Sequence, residues 1–138
     1  MKNLYKKLLA IQQEVGAITK DSENPYFKSF YFDVNGLLAE LKPVLNKHGV
    51  VVLQPLTNID GKNALKTILI DQESGETIED KIILPDIQDP QKMGSAITYY
   101  RRYSLQSMFL LQAEDDDGNS ASEKKTGKAK VVDDDLGF

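Results

Sequence analysis

Cysteine and tryptophan are absent from this 138-residue chain, and histidine occurs once, at His48. Without cysteine there is no disulfide framework, no thiol nucleophile and no thiolate site for zinc or an iron–sulfur cluster. A single histidine excludes a multi-histidine metal centre. No run approaches the roughly 20 apolar residues that a membrane span needs. The opening Met1-Lys2-Asn3-Leu4-Tyr5-Lys6-Lys7 is too charged to lead into the apolar core of a signal peptide. The expectation is a soluble, cytoplasmic chain of one domain and a tail, with no membrane partner.

Basic residues are also few, 17 against 21 acidic ones, a net charge of −4. The deficit is local: residues 1–113 are balanced, and residues 114–138 hold 4 lysines against 8 acids. A neutral body still binds nucleic acid if its cations gather on one face, so the acidity of the tail does not exclude that partner.

Periodicity predicts the elements. Leu4, Leu8, Ile11, Val15 and Ile18 form one stripe of a first helix. Thr19 to Asn24, followed by Pro25, reads as a loop. Tyr26-Phe27-Lys28-Ser29-Phe30-Tyr31-Phe32 is the densest aromatic cluster. Asp33 is placed to cap a second helix holding Leu37, Leu38, Leu41 and Leu45, and Gly49 to end it. Pro43 inside this pattern predicts a kink or break near Leu41 and Lys42. Three strands follow, Val50 to Gln54, Leu65 to Ile70 and Thr77 to Leu84, with Asp60-Gly61 as a hairpin turn and Glu73 to Glu76 as another. They make an antiparallel meander that needs helical cover on one face. Asp89-Pro90 opens the last helix. Its Met93, Ile97, Tyr100, Ser104, Met108 and Leu111 are expected to face the sheet, and Gly94, Ser95 and Ala96 to admit another backbone. The fold class is therefore α+β, a three-stranded antiparallel meander packed with helices.

Within the last helix, Gly94-Ser95-Ala96-Ile97-Thr98-Tyr99-Tyr100-Arg101-Arg102-Tyr103-Ser104-Leu105 places two guanidiniums beside three phenols. Phosphate forks and stacking planes side by side are what single-stranded nucleic acid binding uses. Tyrosines in an amphipathic helix also serve as core or rim residues, and paired arginines as salt-bridge partners. The aromatic cluster has the same two readings, core packing for Phe27, Phe30 and Phe32 and ligand contact for Lys28 and Tyr31.

Four separated stretches then point one way. They are Asn24-Pro25-Tyr26-Phe27-Lys28-Ser29 with Tyr31-Phe32-Asp33-Val34; Leu41-Lys42-Pro43-Val44-Leu45-Asn46-Lys47-His48-Gly49; the Gly94 to Leu105 segment; and Glu114-Asp115-Asp116-Asp117-Gly118-Asn119. In this order and spacing, over residues 1 to about 119, the chain resembles the ERF family of phage single-strand annealing proteins. Phe30 stands where a basic residue is common in the family, and Tyr100 where a small one is. The resemblance implies a core like that of the eukaryotic annealing-ring proteins, binding of single-stranded DNA, assembly into rings or filaments, and pairing of complementary strands without ATP in homologous recombination. The lack of a Gly-x-x-x-x-Gly-Lys-Ser/Thr loop agrees with ATP independence, and no cofactor or metal is implied. Annealing requires phosphates held and bases exposed. That assigns phosphate contact to Lys28, Lys92, Arg101 and Arg102, and stacking or spacing of bases to Tyr31, Tyr99 and Tyr103. So few cations per chain predict weak binding by one subunit and affinity through many.

The tail divides into a polar, flexible linker, residues 114–130, and a tip, residues 131–138. Asp133, Asp134, Asp135, Leu136, Gly137 and Phe138 resemble the acidic tip of bacterial single-stranded DNA-binding proteins, with Gly137 where proline is usual. The resemblance implies docking of Asp133, Asp134, Asp135, Leu136 and Phe138 on host proteins that recognise such tips. A merely solubilising tail is the plain alternative, and folding back on the chain's own basic groove is a third. Two other functions remain to be weighed. One is a non-catalytic adaptor acting through the tip. The other is a metal nuclease on Glu114 to Asp117, disfavoured because consecutive carboxylates do not converge on one ion.

Overall fold

The computed structural model describes residues 1–16, 18–19, 22–24, 29–31 and 33–114. Among the described residues three helices, α1 (Lys2–Glu14), α2 (Val34–His48) and α3 (Pro90–Phe109), accompany eight strands. The strands are β1 (Ile18–Thr19), β2 (Ser22–Asn24), β3 (Ser29–Tyr31), β4 (Val50–Leu53), β5 (Leu56–Ile59), β6 (Lys62–Asp71), β7 (Thr77–Ile83) and β8 (Ala113–Glu114). The class is α+β.

The main sheet is antiparallel, with β6 in the middle, β7 on one side and both β4 and β5 on the other. Val50 pairs with Asp71 and Leu53 with Ile68; Leu56 then pairs with Leu65 and Ile59 with Lys62. The register is unchanged across Gln54 and Pro55, so β4 and β5 are two halves of one arm. Lys66 N donates to Pro55 O at 3.0 Å, but Pro55 has no N–H to return the bond, and the ladder opens there. The three-stranded meander expected from sequence is thus present with its first arm interrupted. Asp60 and Gly61 both have positive φ, 51° and 80°, the signature of the tight hairpin turn.

Alternation sorts the faces. Leu65, Thr67, Leu69 and Asp71 of β6 are buried beneath the helices. Leu4 and Ile11 of α1, Leu37, Leu41 and Leu45 of α2, and Leu105 and Phe109 of α3 complete the core with Val50 and Leu69. On the opposite face Val51, Leu53 and Ile83 are 41%, 47% and 45% exposed; the half-buried Ile70 and Ile68 pair with Val51 and Leu53, and Ile83 lies farther along, opposite the buried Ala64.

Two helix starts follow the sequence. Asp33 accepts from Asn35 N at 2.9 Å and Asp89 from Gln91 N at 3.3 Å, and Gly49 ends α2 at φ 69°. Pro43 does not break α2, contrary to expectation. The carbonyl it leaves free, that of Ala39, is on the exposed side with Pro43 itself, where water satisfies it. Leu37, Leu41 and Leu45 hold the helix down on either side of it.

Three further expectations are corrected. Ile18 does not extend α1 but pairs with Ala113 in the parallel β1–β8 ladder. Ser22 to Asn24, read as loop, forms an antiparallel pair with Ser29 to Tyr31. In α3 the deepest residues are Leu105 and Phe109, about a third of a turn round the helix from the centre of the predicted face, of which Met108 and Leu111 are half-buried against the core. Only the last turns of α3 enter the core. Nothing before Leu105 on α3 is buried, and among the described residues no atom lies within 4 Å of where a Cβ on Gly94 would sit. No described residue makes the predicted close approach.

Candidate nucleic-acid interface

The capped start of α3 and its core-anchored end fix the directions of its polar side chains. At 100° per residue, Lys92, Tyr99 and Tyr103 fall within about 40° of one another, while Arg101 points about half a turn from Lys92. Lys92 is exposed. Tyr99 and Tyr103 meet edge to face, ring centres 4.7 Å apart at 76°, and Tyr100 meets Tyr99 at 5.4 Å and 86°. The Arg102 guanidinium lies 5.1 Å from the Tyr99 ring centre and 5.6 Å from that of Tyr103. Both are within cation–π range.

This cluster is stiff and keeps its charge. Burial, together with the hydrogen bond to Tyr103, pushes the Tyr99 phenol far above its ordinary range, so it stays neutral at any working pH. The Tyr99 hydroxyl and Arg102 Nε are both out of solvent. A guanidinium partly stripped of water beside flat rings binds an anion more strongly than a fully hydrated one.

Arg101 belongs elsewhere. It faces a groove of about 470 Å³ between α2, β4 and α3, where Lys42 is the other cation. The Arg101 carbonyl accepts from Gln54 Nε2 at 3.3 Å, and the same amide donates to Thr67 Oγ1 at 3.0 Å, which ties the middle of α3 to the interrupted arm of the sheet. The adjacent arginines read from sequence as one pair therefore serve two surfaces. Lys42 was not singled out by the sequence reading. Its signal was a four-residue offset from Leu38 and Asn46 on the flank of α2, legible only once the neighbouring strand is known.

Of the other sequence-predicted residues, Lys28 and the tip residues Asp133, Asp134, Asp135, Leu136 and Phe138 lie outside the described residues. Tyr31 is placed by its backbone at the end of β3, paired with Ser22. Of the acidic run, Glu114 closes β8 and the rest lies outside. Among the described residues no group of three or more histidine, aspartate and glutamate side chains is arranged to hold a metal ion. No helix among them is long and apolar enough to cross a membrane.

A second polar cluster, at the Asp71–Glu76 turn, is structural. Lys7 Nζ donates to Asp71 at 2.7 Å and Glu73 at 2.8 Å, and Ser74 Oγ donates to Asp71 at 2.8 Å. The Lys7 ammonium holds the buried Asp71 carboxyl down to about 2 against the opposing effect of burial. Glu76 Oε1 accepts from Leu4 N at 2.8 Å. It thus supplies the cap that α1, with no side-chain cap at Met1, lacks.

Comparison with curated proteins and with solved structures returns no match. The sequence profile of the ERF superfamily matches residues 4–135, nearly the full length, and the chain belongs to that family, whose role is phage single-strand annealing and recombination.

Proposed function

We propose that the chain binds single-stranded DNA and pairs complementary strands without ATP, as a ring or filament of many copies and with no catalytic step. The observation that carries this reading is the Arg102–Tyr99–Tyr103 cluster on α3 in a chain of an annealing family. Arg102 and Lys92 grip phosphates, and Tyr99 and Tyr103 space the bases while their pairing edges stay exposed. Arg101, with Lys42, contacts a strand only where it crosses the groove; Lys28 and Tyr31 are proposed as further contacts to the strand.

Assembly follows from magnitude. Two or three phosphate contacts per chain give weak binding that salt abolishes, and many copies on one strand raise the effective concentration of each contact. The open outer face of the sheet and the uncovered first turns of α3 support a neighbour in the assembly. Annealing of quenched complementary oligonucleotides without nucleotide or metal tests the reading. Arg102→Glu is expected to slow annealing at least tenfold while far-UV circular dichroism is unchanged. A folded Arg102→Glu chain that anneals at the normal rate overturns it. The adaptor alternative predicts no oligonucleotide binding at low salt.

A further inference from the structure

The groove between α2, β4 and α3 has an apolar floor and a basic rim. Leu41, Leu45 and Leu105 are buried beneath it, and Val52 closes one side. Lys42 and Arg101 are its only charged lining residues, with no carboxylate among the described ones. Neither cation makes an ion pair with a described residue. β4 is an edge: among the described strands it pairs with β6 alone. An extended segment lying there meets free backbone donors and acceptors on one side and the leucines of α2 on the other.

The chain carries a segment of matching chemistry. Asp133, Asp134 and Asp135 precede Leu136 and Phe138, and Val131 and Val132 lead into them. It is also within reach. Leu105 lies on the groove, and Glu114 is at most about 24 Å away, four helical steps of 1.5 Å and five extended ones. From Glu114 to Asp133 the backbone can extend to about 60 Å, more than twice that gap.

We propose that residues 131–138 dock in this groove of their own chain, the aspartates against Lys42 and Arg101 and the Leu136 and Phe138 side chains on the leucine floor. The docked tip covers Arg101 and leaves the Arg102–Tyr99–Tyr103 cluster open, so it shields one basic surface and not the other. Docking is read in the absence of DNA and does not depend on the annealing reading.

The test places photoreactive benzoylphenylalanine at position 138 of the full chain and maps the cross-links by mass spectrometry. Adducts within residues 38–54 or 101–105 are expected, and adducts only elsewhere, or none, overturn the proposal. Lys42→Glu, an exposed substitution that leaves the core intact, is expected to lower the yield at least threefold. Asp133→Lys with Asp134→Lys in the Lys42→Glu background is expected to restore it. Unchanged yield in Lys42→Glu removes the charge argument. Mixing isotopically heavy and light chains decides the source of the tip: light–light and heavy–heavy adducts alone are expected, and heavy–light adducts at the level of random pairing overturn docking within one chain. Loss of annealing in Arg102→Glu with cross-links unchanged separates the two proposals.

Discussion

Leu110 ends α3 in the left-handed conformation, φ 54°, with 72% of its surface exposed. A branched side chain pays strain there that glycine does not, and little burial is lost on removing it. Leu110→Gly is therefore expected to raise stability by about 0.5–1 kcal/mol in urea unfolding, the strain relieved outweighing the added freedom of the unfolded chain. Asp71 gives the pH dependence. Its carboxyl titrates near 2 when folded against 3.8 for the free side chain, chiefly through Lys7. The stability it contributes is complete above about pH 4 and is lost as pH falls from 4 toward 2. Glu14, held down by His48 and Lys47, and Glu76, held down by the Leu4 amide, act in the same direction. Urea midpoints measured across this range should fall steeply in the native chain and less so in Lys7→Met. At this scale the sequence showed which residues bear chemistry but not where they point. Arg101 and Arg102 are neighbours in the chain, and only the anchoring of Leu105 and Phe109 in the core turns them to separate surfaces.

Caps and turns were the most legible part of the elements, because Asp33, Gly49, Asp60-Gly61 and Asp89-Pro90 act through local backbone geometry. Less legible was anything decided across the sheet. Pro43 is tolerated because the freed Ala39 carbonyl faces water, a fact about tertiary placement. Pro55 interrupts the first arm of the meander because the missing N–H lies toward β6, and the register survives because pairs on both sides of the gap hold it. The face of α3 was misread for a related reason. Met93, Ile97 and Tyr100 follow helical spacing well, yet they stay half-buried, and the fully buried residues of α3 are Leu105 and Phe109 in its last turns. Gly94, in the first turns, is exposed. Gly94→Ala is expected to stabilise the isolated chain by about 0.8–1 kcal/mol through helix propensity alone. If a neighbouring backbone approaches there in the assembly, the same variant anneals more slowly despite its higher melting temperature, which a thermal melt and an annealing trace measured together will show.

At the scale of the whole molecule, the described helices cover one face of the main sheet, and no described element covers the other. Val51, Leu53, Ile68 and Ile70 cluster on the open face, with the Lys66–Glu79 ion pair at 3.3 Å between them and Ile83. A face of that kind is the expected contact between copies. Leu53→Glu is predicted to shift sedimentation toward the monomer at micromolar concentration while circular dichroism and melting temperature stay near native, since Leu53 is half in solvent already. The family was legible in the sequence because its motifs recur as contiguous stretches, whereas the surfaces that copies, DNA or the tail would use arise only when distant segments meet.

The Glu76 contact with the Leu4 amide, 72 positions apart, has a bearing on biogenesis. During translation at about 5–20 residues per second, α1 emerges roughly 4–14 s before the carboxylate that seals its first turn exists. The opening helix cannot reach its final form as a vectorial intermediate. It waits, frayed, for the hairpin that closes over it.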